Sequence, residues 1–412
     1  AIPSNSITAI MGPSGCGKST LLKLLNGDTI PSGGKVFLFN QELSTNWDYL
    51  KTQIGYVPQD DIIHSKLSVF ECLMFNTKLK LGNIDNDEIK SKINKILKEL
   101  GMYDKRDCLI SDLSGGQRKR VSIAVELLTD PLILFLDEPT SPLDPQSIDN
   151  FLETLKLLSK RGTTVVMVTH KPEDLEYTQE VIFMSDKGHI VYYGKSDDYK
   201  SYFNVNTVIS VFSKITGEQA NYWISKYVNP RPLNVSSKFS QPIERTSSSI
   251  FNQFFWLTYR YFKIKTNDSF NTFILISQAP IIAILICIIF SKITSVVIFM
   301  ITISAIWLGT QNAVREIVAE SSIYKRERMY NLEIVPYIFS KLFVLSLFSV
   351  IQSLIFVSIL TIHFNSNSNS SSLSLNNPEI VFLLMFFTSF VSSIVGLYIS
   401  SIVKSTERGI SV

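Results

Sequence analysis

Four long stretches in the second half of the chain carry no Asp, Glu, Lys or Arg: residues 272–290, 293–314, 342–364 and 380–403. At 1.5 Å per helical residue, each is long enough to cross a hydrocarbon core of about 30 Å. A bilayer offers no water to unpaired backbone groups, so the runs predict four membrane-spanning helices. Four buried helices of a soluble domain would need an unusually large core.

Loop charge sets the orientation. Arg260, Lys263 and Lys265 precede the first run. Arg315, Lys325, Arg326, Arg328 and Lys341 lie between the second and third, and Lys404 and Arg408 follow the fourth. The opposite loops hold only Lys292, with no Lys or Arg across 365–379. The positive-inside rule therefore makes both ends of this region cytoplasmic, in a plasma or bacterial inner membrane. Residues 250–266 are aromatic-rich with basic residues toward their end, which suits an interfacial elbow helix among membrane lipids. The NSNSNSSSLSLNN tract at 365–377 reads as a flexible external loop.

The first 205 residues have a different grammar. Short apolar runs at Ile7–Met11, 36–39, 132–136, 165–168 and 181–184 read as strands. Residues 17–26, 88–100, 116–128 and 147–160 read as helices. This alternation predicts an α/β domain with a largely parallel sheet. Residues 208–227 could hold a helix. Pro230, Pro232, Pro242 and many serines then mark a linker, so 206–249 separates the α/β domain from a membrane domain at 250–412.

Composition narrows the partners. Lys plus Arg is 39 against 36 for Asp plus Glu, a net charge of +3 that argues against nucleic acid. Charged residues make up only 18% of the chain, below the usual quarter of a soluble protein. The cysteines at 16, 72, 108 and 287 have neither metal-ligand nor disulfide spacing, which predicts a reducing compartment for the polar half. No charged segment or cleavage site of a signal peptide follows Ala1.

Three motifs carry chemistry. GPSGCGKS at 12–19 fits the phosphate-binding pattern GxxxxGK[ST], placed between a strand and a helix as the pattern requires. Gly12, Pro13, Ser14, Gly15, Cys16 and Gly17 would aim backbone N–H groups at a phosphate chain, and the helix opening at Lys18, Ser19 and Thr20 adds its positive end. Lys18 would reach the terminal phosphates and Ser19 would bind Mg²⁺. LILFLDE at 132–138 is an apolar strand ending in two acids. Asp137 would sit beside Mg²⁺, and Glu138 would polarise an attacking water. LSGGQ at 113–117, followed by Arg118, Lys119 and Arg120, opens a helix capped by Ser114.

Taken in order, the P-loop, Gln59, LSGGQ, the strand-borne Asp-Glu pair and His170 resemble an ATP-binding cassette (ABC) ATPase over residues 1 to 200. The resemblance implies several roles. Gln59 would touch Mg²⁺ and sense the membrane domain, and His170 would contact the γ-phosphate. Asp144 would lie on a loop crossing a dimer interface. Ser114, Gly115, Gly116 and Gln117 would bind the ATP held by a second subunit. The RKR run, Gln59-Asp60-Asp61, LSVFE at 67–71 and the charged segment 314–328 resemble the G subfamily, in which the ATPase precedes an ABC-2-type membrane domain.

That resemblance implies a half-transporter using ATP and Mg²⁺. It would export a lipid-like or hydrophobic substrate as a homo- or heterodimer. The alternative is a membrane-anchored regulatory ABC ATPase that moves no solute. Pro142 departs from the subfamily, and the form TSPLDP at 140–145 is similar to bacterial members with upstream forkhead-associated domains. Six spans and an adenine-stacking aromatic residue before position 1 would be expected, so the resemblance implies a chain lacking both ends.

Overall fold

The computed structural model describes residues 1–82, 84–141, 143, 145–227, 249–329, 332–366 and 377–403. The chain divides into two compact units, Ala1–Ser247 and Ser248–Val412.

The first unit is built on a six-stranded sheet. Its strands are β1 (Ile7–Met11), β4 (Ile54–Val57), β5 (Ile133–Asp137), β6 (Thr164–Val168), β7 (Glu180–Met184) and β8 (Ile190–Lys195), in the order β4-β5-β6-β1-β7-β8. All neighbours are parallel except β7 and β8. Strands β1, β5, β6 and β7 are buried along their whole length, as continuous apolar runs in a sheet covered on both faces must be. Helices α1 (Lys18–Leu25), α2 (Val69–Leu81), α3 (Asn86–Glu99), α4 (Gly115–Leu127) and α5 (Pro145–Lys160) complete the frame. Ile10, Leu22, Ile54, Phe135, Val166, Val168 and Ile182 form the centre of one core layer.

Some elements depart from the pattern in the sequence. The run at 36–39 yields only β2 (Phe37–Leu38), paired with β3 (Gln41–Glu42) in a hairpin outside the main sheet. Phe39 and Asn40 both have positive φ, which turns the chain back after two residues. Strand β4 is hidden in the sequence by Gly55, whose absent side chain leaves room for Leu134: a Cβ there would lie 2.9 Å from Leu134 Cδ1. Residues 208–227 form two short helices, Val208–Lys214 and Gln219–Lys226, because Gly217 turns the chain at φ +66° between them.

The second unit is helical: α6 (Ile250–Asn267), α7 (Ser269–Ile289), α8 (Ser295–Ala313), α9 (Ser321–Arg328), α10 (Ile334–Ser366) and α11 (Pro378–Ile402). Among the described residues, four helices are long and apolar enough to cross a membrane. Exposed Phe273, Ile288, Trp307, Leu354 and Phe387 give them the outward apolar surface that lipid requires. Helix α10 starts eight residues before the apolar run at 342. Lys341 does not mark its end, because that lysine is buried and bonds Glu320 at 2.6 Å.

Small residues let α8 and α11 meet at backbone distance. A Cβ on Gly309 would lie 2.1 Å from the carbonyl oxygen of Ser389, and one on Gly396 2.9 Å from that of Thr310. Ser393 donates to the carbonyls of Gly309 and Ser389 at 3.0 Å, which pins the same contact. Gly309→Val must push the helices apart. It is expected to cost about 1–3 kcal/mol, seen as a lower Tm of the detergent-solubilised protein. An unchanged Tm would show that these helices are not in contact there.

Candidate nucleotide site

In a parallel sheet, the loops leaving the carboxyl ends of the strands share one edge, where open α/β sheets bind ligands. Here those loops follow β1 with the P-loop, β4 with Gln59, β5 with Glu138 and β6 with His170.

The P-loop needs its glycines at defined places. A Cβ on Gly12 would meet the Met184 carbonyl at 2.6 Å and Cys16 Sγ at 2.8 Å. Gly17 caps α1 at φ +95°, a conformation that L side chains rarely adopt. Pro13 and Gly17 are half-buried, while Ser14, Gly15 and Thr20 are exposed. Lys18 is buried and donates to the carbonyls of Gly12 at 2.9 Å and Pro13 at 2.8 Å, so its ammonium is held over the loop it serves. Cys16 is buried against this loop.

Two groups of polar side chains converge beside it. Ser19 Oγ donates to Asp137 Oδ1 at 3.1 Å. Gln59 Nε2 donates to Glu138 Oε2 at 3.2 Å, and His170 Nδ1 lies 3.5 Å from Glu138 Oε1. Glu138 is thus addressed by two loops from elsewhere in the sequence. It also has φ +47°, a left-handed conformation costing about 1–3 kcal/mol that must be maintained by its surroundings. Its N–H bonds the Val168 carbonyl at 3.0 Å, tying it to the strand before His170. Burial raises the Asp137 carboxyl above its ordinary range, opposed by the Ser19 hydrogen bond.

Ser114 and Gln117 bond each other's backbone N–H in a capping box at the start of α4. Ser114 is exposed, Gly115 and Gly116 half-buried, and neither polar side chain bonds a P-loop residue among the described residues. Asp144 and Pro142 lie outside the described residues.

Two further residues organise these loops, with no role legible in the sequence motifs. Lys119 is buried against the Gln59 loop. It shares one buried helix face with Ser122, Ile123 and Glu126, and a Lys and a Glu about two turns apart on the same face as Ile123 is the signal that could have drawn notice. Asp174, fully buried, accepts from Thr140 at 2.8 Å and from Thr169 at 2.5 Å. It so joins the segment after Glu138 to the one before His170.

Burial raises the Asp174 carboxyl, against the lowering pull of both hydroxyls. A raised folded value favours the neutral acid. The associated stability is fully present below the ordinary value of about 3.9 and is lost as pH rises through the folded value. Asp174→Asn cannot titrate, so its stability relative to the parent should increase with pH across that window. Thermal unfolding at a series of pH values checks this, and a pH-independent difference would contradict it.

Fold and site define a P-loop nucleotide-binding unit joined to a helical unit of an integral membrane protein. Residues 1–141 match the family described as ABC transporter, and residues 252–412 match that described as ABC-2 type transporter. The chain is therefore an ABC ATPase domain followed by an ABC-2 type membrane domain. It is similar to the ABC transporter ATP-binding/permease protein Rv1747 of Mycobacterium tuberculosis, with 29% identity over 98% of this chain and 49% of that protein. ABC transporter G family member 26 of Arabidopsis thaliana is 38% identical over 48% of this chain and 30% of its own length. The solved structure of cbiO1 from Clostridium perfringens is 31% identical, covering 48% of this chain and 81% of its own, with a TM-score of 0.45. The chain spans about half or less of the length of the curated relatives it matches.

Proposed function

We propose that this chain is one half of an ATP-driven transporter, working with a second ABC chain, and that its cassette hydrolyses ATP to move a lipid-like or hydrophobic solute outward. The observation that carries the reading is the convergence of Gln59 and His170 on Glu138 beside the P-loop. On this reading Lys18 leaves its loop carbonyls for the terminal phosphates. Glu138 accepts the proton of the attacking water, Gln59 orients that water, and His170 contacts the γ-phosphate.

Ser19, Asp137 and Gln59 offer hydroxyl, carboxylate and amide oxygens, a donor set that suits Mg²⁺, with Asp137 acting through water. When bound, Mg²⁺ would neutralise charge on the phosphates. The cassette faces the cytoplasm by the distribution of Lys and Arg. The apolar outer surface of the spans fits a cargo drawn from membrane lipids.

The helix start at Ser114, itself exposed, supports a composite site, in which Ser114–Gln117 closes over the partner's ATP. Ser114→Arg is then expected to abolish hydrolysis by the full chain in vesicles while its P-loop still binds ATP. Hydrolysis at the parental rate would contradict the composite site.

A further inference from the structure

A composite site gives each chain two separate contacts with nucleotide. On the functional reading above, on which this inference rests, Gln59 reads the ATP in its own P-loop and Ser114–Gln117 reads the partner's. The structure joins these two segments within one chain.

Lys119 sits one turn into α4 and is only 1% exposed. Its ammonium donates to the carbonyls of Gln59 at 2.7 Å and Pro58 at 2.9 Å, and lies 3.4 Å from Asp61 Oδ1. Two backbone carbonyls of one short loop thus accept from one buried cation, and a carboxylate of the same loop lies within ion-pair distance of it. The neighbouring Arg118 reinforces the link. It donates to the Leu113 carbonyl, immediately before Ser114, and its Nε lies 3.9 Å from Asp61 Oδ2.

Burying an ammonium is expensive, and packing alone is served as well by an apolar side chain. What the cation adds is direction. It fixes the backbone path of the residue whose side chain addresses Glu138. The helix that carries it is closed at Ser114 by a capping box, so a displacement of the signature reaches Lys119 through a rigid element.

We propose that Lys119 is a positioning residue that transmits engagement of the signature with the partner's ATP to Gln59, and so couples the two ATP sites of the dimer. Lys119 touches no reacting atom. Its effect runs through Gln59 and must vanish when that side chain is removed.

The test is a double-mutant cycle on the full chain in lipid vesicles, measuring kcat, KM for ATP and the Hill coefficient. Lys119→Met should lower kcat about tenfold and abolish cooperativity, with ATP binding retained. In a Gln59→Ala background the same substitution should cost no more than Gln59→Ala alone. Equal fold losses in both backgrounds would overturn the proposal, because a merely structural lysine gives multiplicative effects. Should Lys119→Met fail to fold, Asp61→Asn loosens the same clamp from the loop side and is expected to show the same dependence on Gln59. Ser114→Arg separates the two failures. If it leaves hydrolysis intact, the composite site falls and this coupling with it. If it abolishes hydrolysis while Lys119→Met and Gln59→Ala multiply, only the role of Lys119 falls.

Discussion

Glu138→Gln is expected to lower ATP hydrolysis by about 10²–10⁴-fold while leaving ATP binding to the P-loop unchanged. The substitution keeps the size and planarity of the side chain and removes its ability to take a proton. It also keeps one oxygen to accept from Gln59 Nε2, which now lies 3.2 Å from Oε2. The P-loop contacts of Lys18 do not involve Glu138, so nucleotide affinity has no reason to fall. Phosphate release and binding of an ATP analogue, measured on the same preparation, separate the two quantities. Hydrolysis within a few-fold of the parent would remove Glu138 from the catalytic role.

Arg260→Ala is expected to be the most damaging single change in the membrane unit. Arg260 and Glu327 form a two-pronged pair at 2.6 and 2.9 Å, with side chains only 4% and 7% exposed. The charge of Glu327 raises the already high Arg260 pKa further, against the opposing effect of burial. Removing Arg260 leaves the Glu327 carboxylate buried without its guanidinium, at a cost of about 3–5 kcal/mol. The double change Arg260→Met with Glu327→Leu should be far milder, because neither charge is then buried. Thermal unfolding of the solubilised full chain compares them. A single variant as stable as the double would show that the pair is solvated.

The pair belongs to a larger polar layer. Lys265 bonds Glu316 at 2.6 Å, Tyr261 donates to the same carboxylate, and Lys341 lies 4.3 Å from the Tyr261 ring centre. These groups join α6 and α10 to the segment that follows α8. Read as sequence, the charges at 314–328 suggest a cytoplasmic coupling helix by resemblance or, alternatively, a solvated helix with both signs. Long-range pairing turns them into part of the packed structure, and that pairing is not written in local spacing.

The same distinction runs through the cassette. Lys18, Asp137 and Glu138 were legible because each stands in a short motif whose chemistry depends on immediate neighbours. Gln59 and His170 had little local signal and gained meaning only from the resemblance. Their meeting at Glu138 depends on strand order, since β4 and β6 both pair with β5. Strand order is a property of the folded sheet. Helix α2 carries a legible start, the Ser68–Glu71 capping box, yet shows no helical period because its apolar residues are spread around it. Strand β8 was hidden for a different reason: Gly194 interrupts its pattern where the Tyr192 ring crosses the strand. Lys119 and Asp174 were missed because a Lys or Asp on a helix or turn usually faces water.

On the proposed function, hydrolysis at Glu138 drives movement through the membrane unit. The most direct measurement follows ATP hydrolysis and the transbilayer movement of candidate lipids and amphiphiles in the same vesicles, for the full-length parent and its Glu138→Gln variant. One class of amphiphile should raise hydrolysis and be moved in an ATP-dependent way, with both signals lost in the variant. Hydrolysis that depends on Glu138 but is indifferent to every amphiphile, with no solute moved, would contradict the account.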